Sequence, residues 1–240
     1  MNGHTLRYLL LKPRGGQARR LIVSFSGFAA ESNRPRYNYI RTLSRFKDLK
    51  LFLLDDFGFE QRGSYYLGEG GHFFLREMIP QLVEKIAAEA GVRERVFLGS
   101  SKGGTAALLH GLASGADRVI MGAPQYYIGQ YLNGTPEHRK ILSTVAGSAS
   151  EAAIRQLDQL LPGLVAGAAG GNKPRVYLHY SKSEHTYREH IAGLILDLRA
   201  AGFRVEEDVQ AYLNHQDVAA HFPKYLIRVL KDSDGNKEDK

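Results

Sequence analysis

The sequence predicts an α/β fold, a three-layer sandwich in which a mostly parallel sheet carries helices on both faces. Three observations lead there. Short apolar runs alternate with longer amphipathic segments from about residue 20 onward. Several of those runs are rich in β-branched and aromatic residues and stop at glycine or aspartate, as buried parallel strands do. Composition is that of a globular chain, with 43% hydrophobic and 24% charged residues in 240. A chain of that length buries roughly 70–75% of the surface it exposes when unfolded, enough for a substantial core.

The elements follow in order. Thr5–Leu11 reads as a first strand. Arg20–Ser26 (RLIVSFS) is a second, closed by Gly27, and Leu49–Leu54 is a third, closed by Asp55-Asp56. Phe73–Ala90 has helical periodicity and stops at Gly91. Arg95–Leu98 is a strand, Lys102–Ala113 a helix of small residues, and Arg118–Met121 a strand. Arg175–Tyr180 and Arg204–Ala211 are two more strands, separated by the helix Glu189–Ala201. Val218–Leu230 is the last helix. Residues 1–230 are read as one domain. Residues 124–173 are read as a small helical insertion between the sixth and seventh strands, with amphipathic segments at Pro136–Val145 and Ser150–Leu161 and a Gly/Ala stretch at Gly163–Gly171. It would either cap the sheet's C-terminal edge or only pack on it. The tail Lys231–Lys240 has no apolar residue and is expected to be disordered.

Charge and composition exclude several functions. Without cysteine there is no disulfide framework, thiol nucleophile or thiolate metal site. The net charge of +7 suits anionic partners, although it is also compatible with a merely basic surface. No nucleic-acid module accompanies that charge, and Arg14–Arg20 is the only short basic stretch, so nucleic acid is not expected as a partner. No apolar run is long enough for a membrane span, and the three leucines after Tyr8 are too few for a leader, so a cytoplasmic location is expected.

The most informative stretch is VFLGSSKGGTAALLHGLA, Val96–Ala113. It holds Gly99-Ser100-Ser101-Lys102-Gly103, a G-x-S-x-G pattern with a strand before it and a small-residue helix after it. That context presents Ser101 as a nucleophile from a strained turn, where flanking glycines let strand and helix approach. The alternative is a Gly/Ser turn that only closes a β–α unit. Lys102 precedes Gly103, so the segment is not a phosphate loop. Gly68-Glu69-Gly70-Gly71-His72-Phe73 follows no strand and is no dinucleotide site. No cofactor is called for.

A serine needs a base within hydrogen-bond reach. In chain order the acid and then the histidine should follow later strands. His215, in Tyr212–Asp217 after the last strand, is the candidate base, with His221 as a second choice. Glu184, the one carboxylate in Ser181–His185, is the candidate acid. Asp217 is the alternative, although so near His215 its expected role is a helix cap. His185, His190, Glu184 and Glu189 have no established metal spacing, so no metal site is expected. The oxyanion donors would be the amides of Lys102 and Phe28, with Gly27 supplying the turn. Arg34 and Arg36, and Lys102 beside the nucleophile, could hold anionic substrate groups, whereas Arg41 and Arg45 read as a solvated helix face. Tyrosines including Tyr65 and Tyr126 could stack on sugars or pack a cap.

With those residues in place the chain resembles the α/β-hydrolase superfamily over about residues 5–230, through SFSGF, GSSKGG, SKSE and NHQD. Within it, Asp55-Asp56-Phe57-Gly58, Gly63–Gly68 and Ser101–Gly104 resemble the branch of capsular polysaccharide biosynthesis and accessory secretion proteins that act on adhesin glycans. Glu184 stands where an aspartate is more usual. The resemblance implies serine-dependent acyl chemistry on a small ester or glycan, by hydrolysis or by O-acyl transfer. The competing class is a non-catalytic scaffold of the same fold.

Overall fold

The computed structural model describes residues 3–13, 18–28, 34–171 and 173–235. Among them, seven strands form one sheet: β1 (Tyr8–Leu11), β2 (Arg20–Phe25), β3 (Leu49–Leu53), β4 (Glu94–Ser100), β5 (Arg118–Gly122), β6 (Arg175–Ser181) and β7 (Val205–Gln210). Their order is β1-β3-β2-β4-β5-β6-β7. β1 pairs antiparallel with β3, and every other neighbouring pair is parallel. The helices are α1 (Ile40–Leu43), α2 (Leu75–Ala90), α3 (Lys102–Ala113), α4 (Ile128–Asn133), α5 (Pro136–Ala146), α6 (Glu151–Asp158), α7 (Leu160–Gly167), α8 (Ala192–Ala200) and α9 (Val218–Gly235). A wide π-turn, Tyr187–Ile191, leads into α8.

The period-2 alternation of strand side chains builds the two core layers. Leu21, Val23 and Phe25 face one side and Ile22 the other; Phe97 opposes Val96 and Leu98, and Val119 and Met121 oppose Ile120. The first side packs on Ile79 and Val83 of α2, Leu108 and Leu109 of α3, and Leu194 and Leu198 of α8. The second packs on Leu43 of α1 and on Phe222, Leu226 and Leu230 of α9. Consecutive residues of β2, β3 and β5 are therefore buried, since both faces are covered, and the apolar runs are interrupted within them only by Ser24 and Lys50.

Three expectations change. Residues 124–173 lie between β5 and β6, the fifth and sixth strands, because no further strand forms ahead of them among the described residues. The Gly/Ala stretch is partly helical: Leu161 and Val165 are buried, and that burial carries α7 through Gly163 and Gly167. The last helix continues through Gly235, so Lys231–Gly235 are helical, and the rest of the expected tail lies outside the described residues. No helix among the described residues is long and apolar enough to cross a membrane.

Candidate active site

β4 ends at Ser100 and α3 begins at Lys102, leaving Ser101 alone to make the turn. Its backbone sits at φ 53°, ψ −130°, a conformation that costs an L-residue about 1–3 kcal/mol. The neighbours enforce it. A Cβ on Gly99 would lie 2.3 Å from the Gly103 carbonyl oxygen, and one on Gly103 would lie 2.5 Å from the Phe25 carbonyl oxygen. The Ser101 amide donates to the Gly122 carbonyl at 2.7 Å, which fixes the turn against β5.

His215 opens a short 3-10 turn after β7, capped reciprocally by Asn214 and Asp217. Glu184 lies in the turn after β6. These two loops are joined where Ser181 Oγ donates to the Tyr212 carbonyl at 2.6 Å. His215 Nδ1 is 2.9 Å from Glu184 Oε1, and His215 Nε2 is 2.9 Å from Ser101 Oγ. An ionised carboxylate only accepts, so Nδ1 carries the proton, and Nε2 of the neutral ring accepts from the Ser101 hydroxyl. Glu184 is 2% exposed, and Thr186 Oγ1 donates to its other oxygen at 2.7 Å. Burial alone pushes its pKa up; the hydrogen bonds from His215 and Thr186 outweigh that and hold it below the ordinary glutamate value.

No family model matches the chain, and no curated protein matches it. Solved structures do. A capsule O-acetyltransferase of Neisseria meningitidis serogroup A superimposes with a TM-score of 0.79 at 20% identity, over 96% of this chain and 92% of that one. The glycosylation-associated Gap123 complex from Streptococcus agalactiae gives 0.72 at 17% identity, over 96% of this chain and 46% of that one. FphF, a fluorophosphonate-binding serine hydrolase of Staphylococcus aureus, gives 0.67 at 13% identity, over 95% and 98%. The chain has the α/β-hydrolase fold.

Within that fold the sequence alternatives separate. Asp217 accepts from the Asn214 amide at 3.3 Å as a helix cap, so Glu184 and not Asp217 stands at His215. His221 lies on α9, its ring centroid 5.4 Å from that of Tyr212. His185 is exposed and bonded to Glu189, and His190 is buried against the Tyr127 amide. Among the described residues no group of three or more His, Asp or Glu side chains is placed to hold a metal ion.

The two expected oxyanion amides are linked from beneath. Lys102 is the first residue of α3, where an amide has no intrahelical partner. Its side chain runs away from Ser101 into the protein, and Nζ donates to Asp55 Oδ2 at 2.6 Å. This corrects the reading of Lys102 as a charge offered to substrate: its ammonium is fully buried beneath the rings of Tyr66 and Phe28, 4.8 and 5.4 Å away. Desolvation pulls its pKa below the ordinary lysine value, against the attraction of Asp55. Asp55 also accepts from the amides of Ser64 and Tyr66 and from Ser64 Oγ. Tyr66 OH in turn accepts from the Ser26 amide at 2.7 Å, just ahead of Gly27-Phe28. One buried network thus ties Lys102, the neighbour of Ser101, to the loop that ends β2. Gly63 makes room for it, since a Cβ there would lie 2.2 Å from Lys102 Nζ.

Gly27 itself is not required by the turn. Its φ is not left-handed, and an added Cβ would meet nothing closer than 3.9 Å. Tyr126 is fully buried and donates to Asp197 at 2.8 Å, which removes it from any substrate surface. Tyr65 is also fully buried; its hydroxyl donates to Gln125 Oε1 at 3.3 Å, so it reaches the site only through that residue. Arg34 and Arg36 are exposed in the stretch before α1 and bond to no described residue. The half-buried rings beside the site are Phe28, Tyr131 and His138, which stack on one another at centroid distances of 4.9–6.3 Å.

One residue at the centre carries no sequence signal. Gln125 Nε2 donates to Ser101 Oγ at 3.0 Å and lies 3.4 Å from His215 Nε2. Only the fold brings it there. Ala123 turns the chain at φ 40° after β5, and Thr105 of α3 bonds both the Gln125 amide and its carbonyl.

Proposed function

We propose that this protein is a serine-dependent acyl-ester enzyme whose triad is Ser101, His215 and Glu184. The unbroken path from Glu184 through His215 to Ser101, with both contacts at 2.9 Å, carries this reading. As Ser101 Oγ attacks an ester carbonyl, His215 Nε2 takes its proton. Glu184 holds the imidazolium that forms. The amides of Lys102 and Phe28 receive the oxyanion, each such donor contributing about 2.7–4 kcal/mol of transition-state stabilisation in comparable sites. His215 then returns the proton to the leaving group. A water or a hydroxyl next attacks the acyl-enzyme, with His215 again as base.

We read the acceptor as a carbohydrate and the reaction as O-acyl transfer. The likeness to a capsule O-acetyltransferase over nearly the whole length of both chains supports this, as does a second structure of that acetyltransferase, a histidine variant in complex with CoA. The net charge of +7 suits an anionic glycan. A donor–acceptor matrix tests the reading. Acetyl-CoA and p-nitrophenyl acetate are each supplied with and without a panel of anionic bacterial polysaccharides, using native protein and Ser101→Ala. The expected result is turnover that requires Ser101 and rises with one polysaccharide, with acetyl groups recovered on the glycan. Turnover indifferent to every glycan would leave an esterase. No turnover by folded native protein would contradict the enzyme reading.

A further inference from the structure

The reaction of the acyl-enzyme requires that an incoming oxygen be held against His215, and the triad itself offers only the His215 Nε2 acceptor to hold it. We infer that Gln125 is a further catalytic residue, the one that positions the incoming hydroxyl or water during deacylation. The inference rests on the serine reading above.

Ser101 Oγ, His215 Nε2 and Gln125 Nε2 form a compact triangle with sides of 2.9, 3.0 and 3.4 Å. In the resting protein the Ser101 hydroxyl is matched on both sides. The Ser101 hydroxyl donates to His215 Nε2 and accepts from the Gln125 amide. Acylation removes the hydroxyl proton and turns Oγ into an ester oxygen, a weak acceptor. His215 Nε2, once deprotonated again, then has a free lone pair, and the Gln125 N–H has lost its partner. The site is left with one acceptor and one donor 3.4 Å apart. Those are the two halves that a single O–H oxygen satisfies, by donating its proton to Nε2 and accepting from Nε2–H of Gln125.

The amide is held for that role. Gln125 is fully buried, where an unmatched amide is costly. Tyr65 OH donates to Oε1 at 3.3 Å, which fixes the carbonyl end away from Ser101 and the NH₂ end toward it. Tyr65 is itself fully buried. Thr105 holds the Gln125 backbone on both sides. In the step, the acceptor O–H gives its proton to His215 Nε2 as its oxygen bonds to the acyl carbon. The bond from that carbon to Ser101 Oγ then breaks, and the proton passes from Nε2 to Oγ. Gln125 exchanges no proton. Tyr65 is a positioning residue that acts through it.

Stopped-flow kinetics with p-nitrophenyl acetate separate the two half-reactions. In Gln125→Met, which keeps length and burial but has no donor, the initial burst and fluorophosphonate labelling are expected to stay within about twofold of native. The steady-state rate should fall roughly tenfold, the effect of one lost hydrogen bond, and acetylated Ser101 should accumulate by mass spectrometry. Tyr65→Phe should show the same pattern more weakly. A burst slowed as much as the steady state, or a steady state unchanged in both variants, would overturn the role of Gln125 while leaving the triad intact. Absence of any Ser101 labelling in the native protein would overturn the serine reading instead.

Discussion

In His215→Ala, turnover of an activated acetyl ester is expected to fall by roughly 10⁶-fold while the fold is retained. The magnitude follows from how triads behave. Serine and base act as a unit, so removing the base alone costs about as much as removing both. The fold should survive because the His215 side chain is 21% exposed, and the loop that carries it is held by the Asn214–Asp217 cap and by the Ser181 bond to Tyr212, none of which involves the ring. Glu184→Gln should cost about 10⁴-fold, since an amide facing Nδ1 no longer enforces the tautomer that leaves Nε2 open to the serine proton. Asp217→Asn should leave turnover near native, because Asp217 caps a helix and does not touch His215. Initial rates on p-nitrophenyl acetate measure all three. An Asp217 effect as large as that of Glu184 would contradict the assignment of the acid.

Asp55→Asn is expected to produce the largest loss of stability, about 3–5 kcal/mol, because it leaves the Lys102 ammonium buried and unpaired. The side chains of Lys102 and Asp55 are 1% and 0% exposed, so water cannot replace the lost carboxylate. In a chain of this size that corresponds to a thermal midpoint lower by roughly 10 °C. The double variant Asp55→Asn/Lys102→Met removes the stranded charge and should recover much of the loss. Its ester turnover should stay low, since the pair is also what joins α3 to the loop from Asp55 to Tyr66 and, through Tyr66, to Ser26 and Phe28. Thermal unfolding followed by circular dichroism, with rates measured alongside, separates the two effects. If the double variant were no more stable than Asp55→Asn, charge burial would not be the cause.

The parts of this site that were legible in the sequence are those set by local constraint. Gly99 and Gly103 mark the elbow because backbone atoms fill the space that their side chains would need. His215 and Glu184 were legible because the fold orders its loops along the chain, and each loop offers few candidates. What escaped depends on distance in sequence or on direction. Asp55 and Lys102 are 47 residues apart, and neither carries a pattern that names the other. Gln125 and Tyr126 are neighbours, yet the turn at Ala123 sends the first to Ser101 and the second to Asp197. Tyr126, aromatic and in the right loop, reads as a ring that stacks on sugars or packs a cap; it packs, and the glutamine beside it reaches Ser101. The helices of the 124–173 segment were foreshadowed by Pro136 and Ser150, which start α5 and α6, whereas α7 forms through glycines because Leu161 and Val165 are buried.

The central claim is that Ser101 is an activated nucleophile. Labelling by a fluorophosphonate probe, with the modified peptide identified by mass spectrometry, tests it most directly in native protein and in Ser101→Ala. The account predicts stoichiometric labelling on Ser101 that is lost in the alanine variant and sharply slowed in His215→Ala. Labelling that persists in Ser101→Ala, or a folded native protein that the probe leaves unmodified, would contradict it.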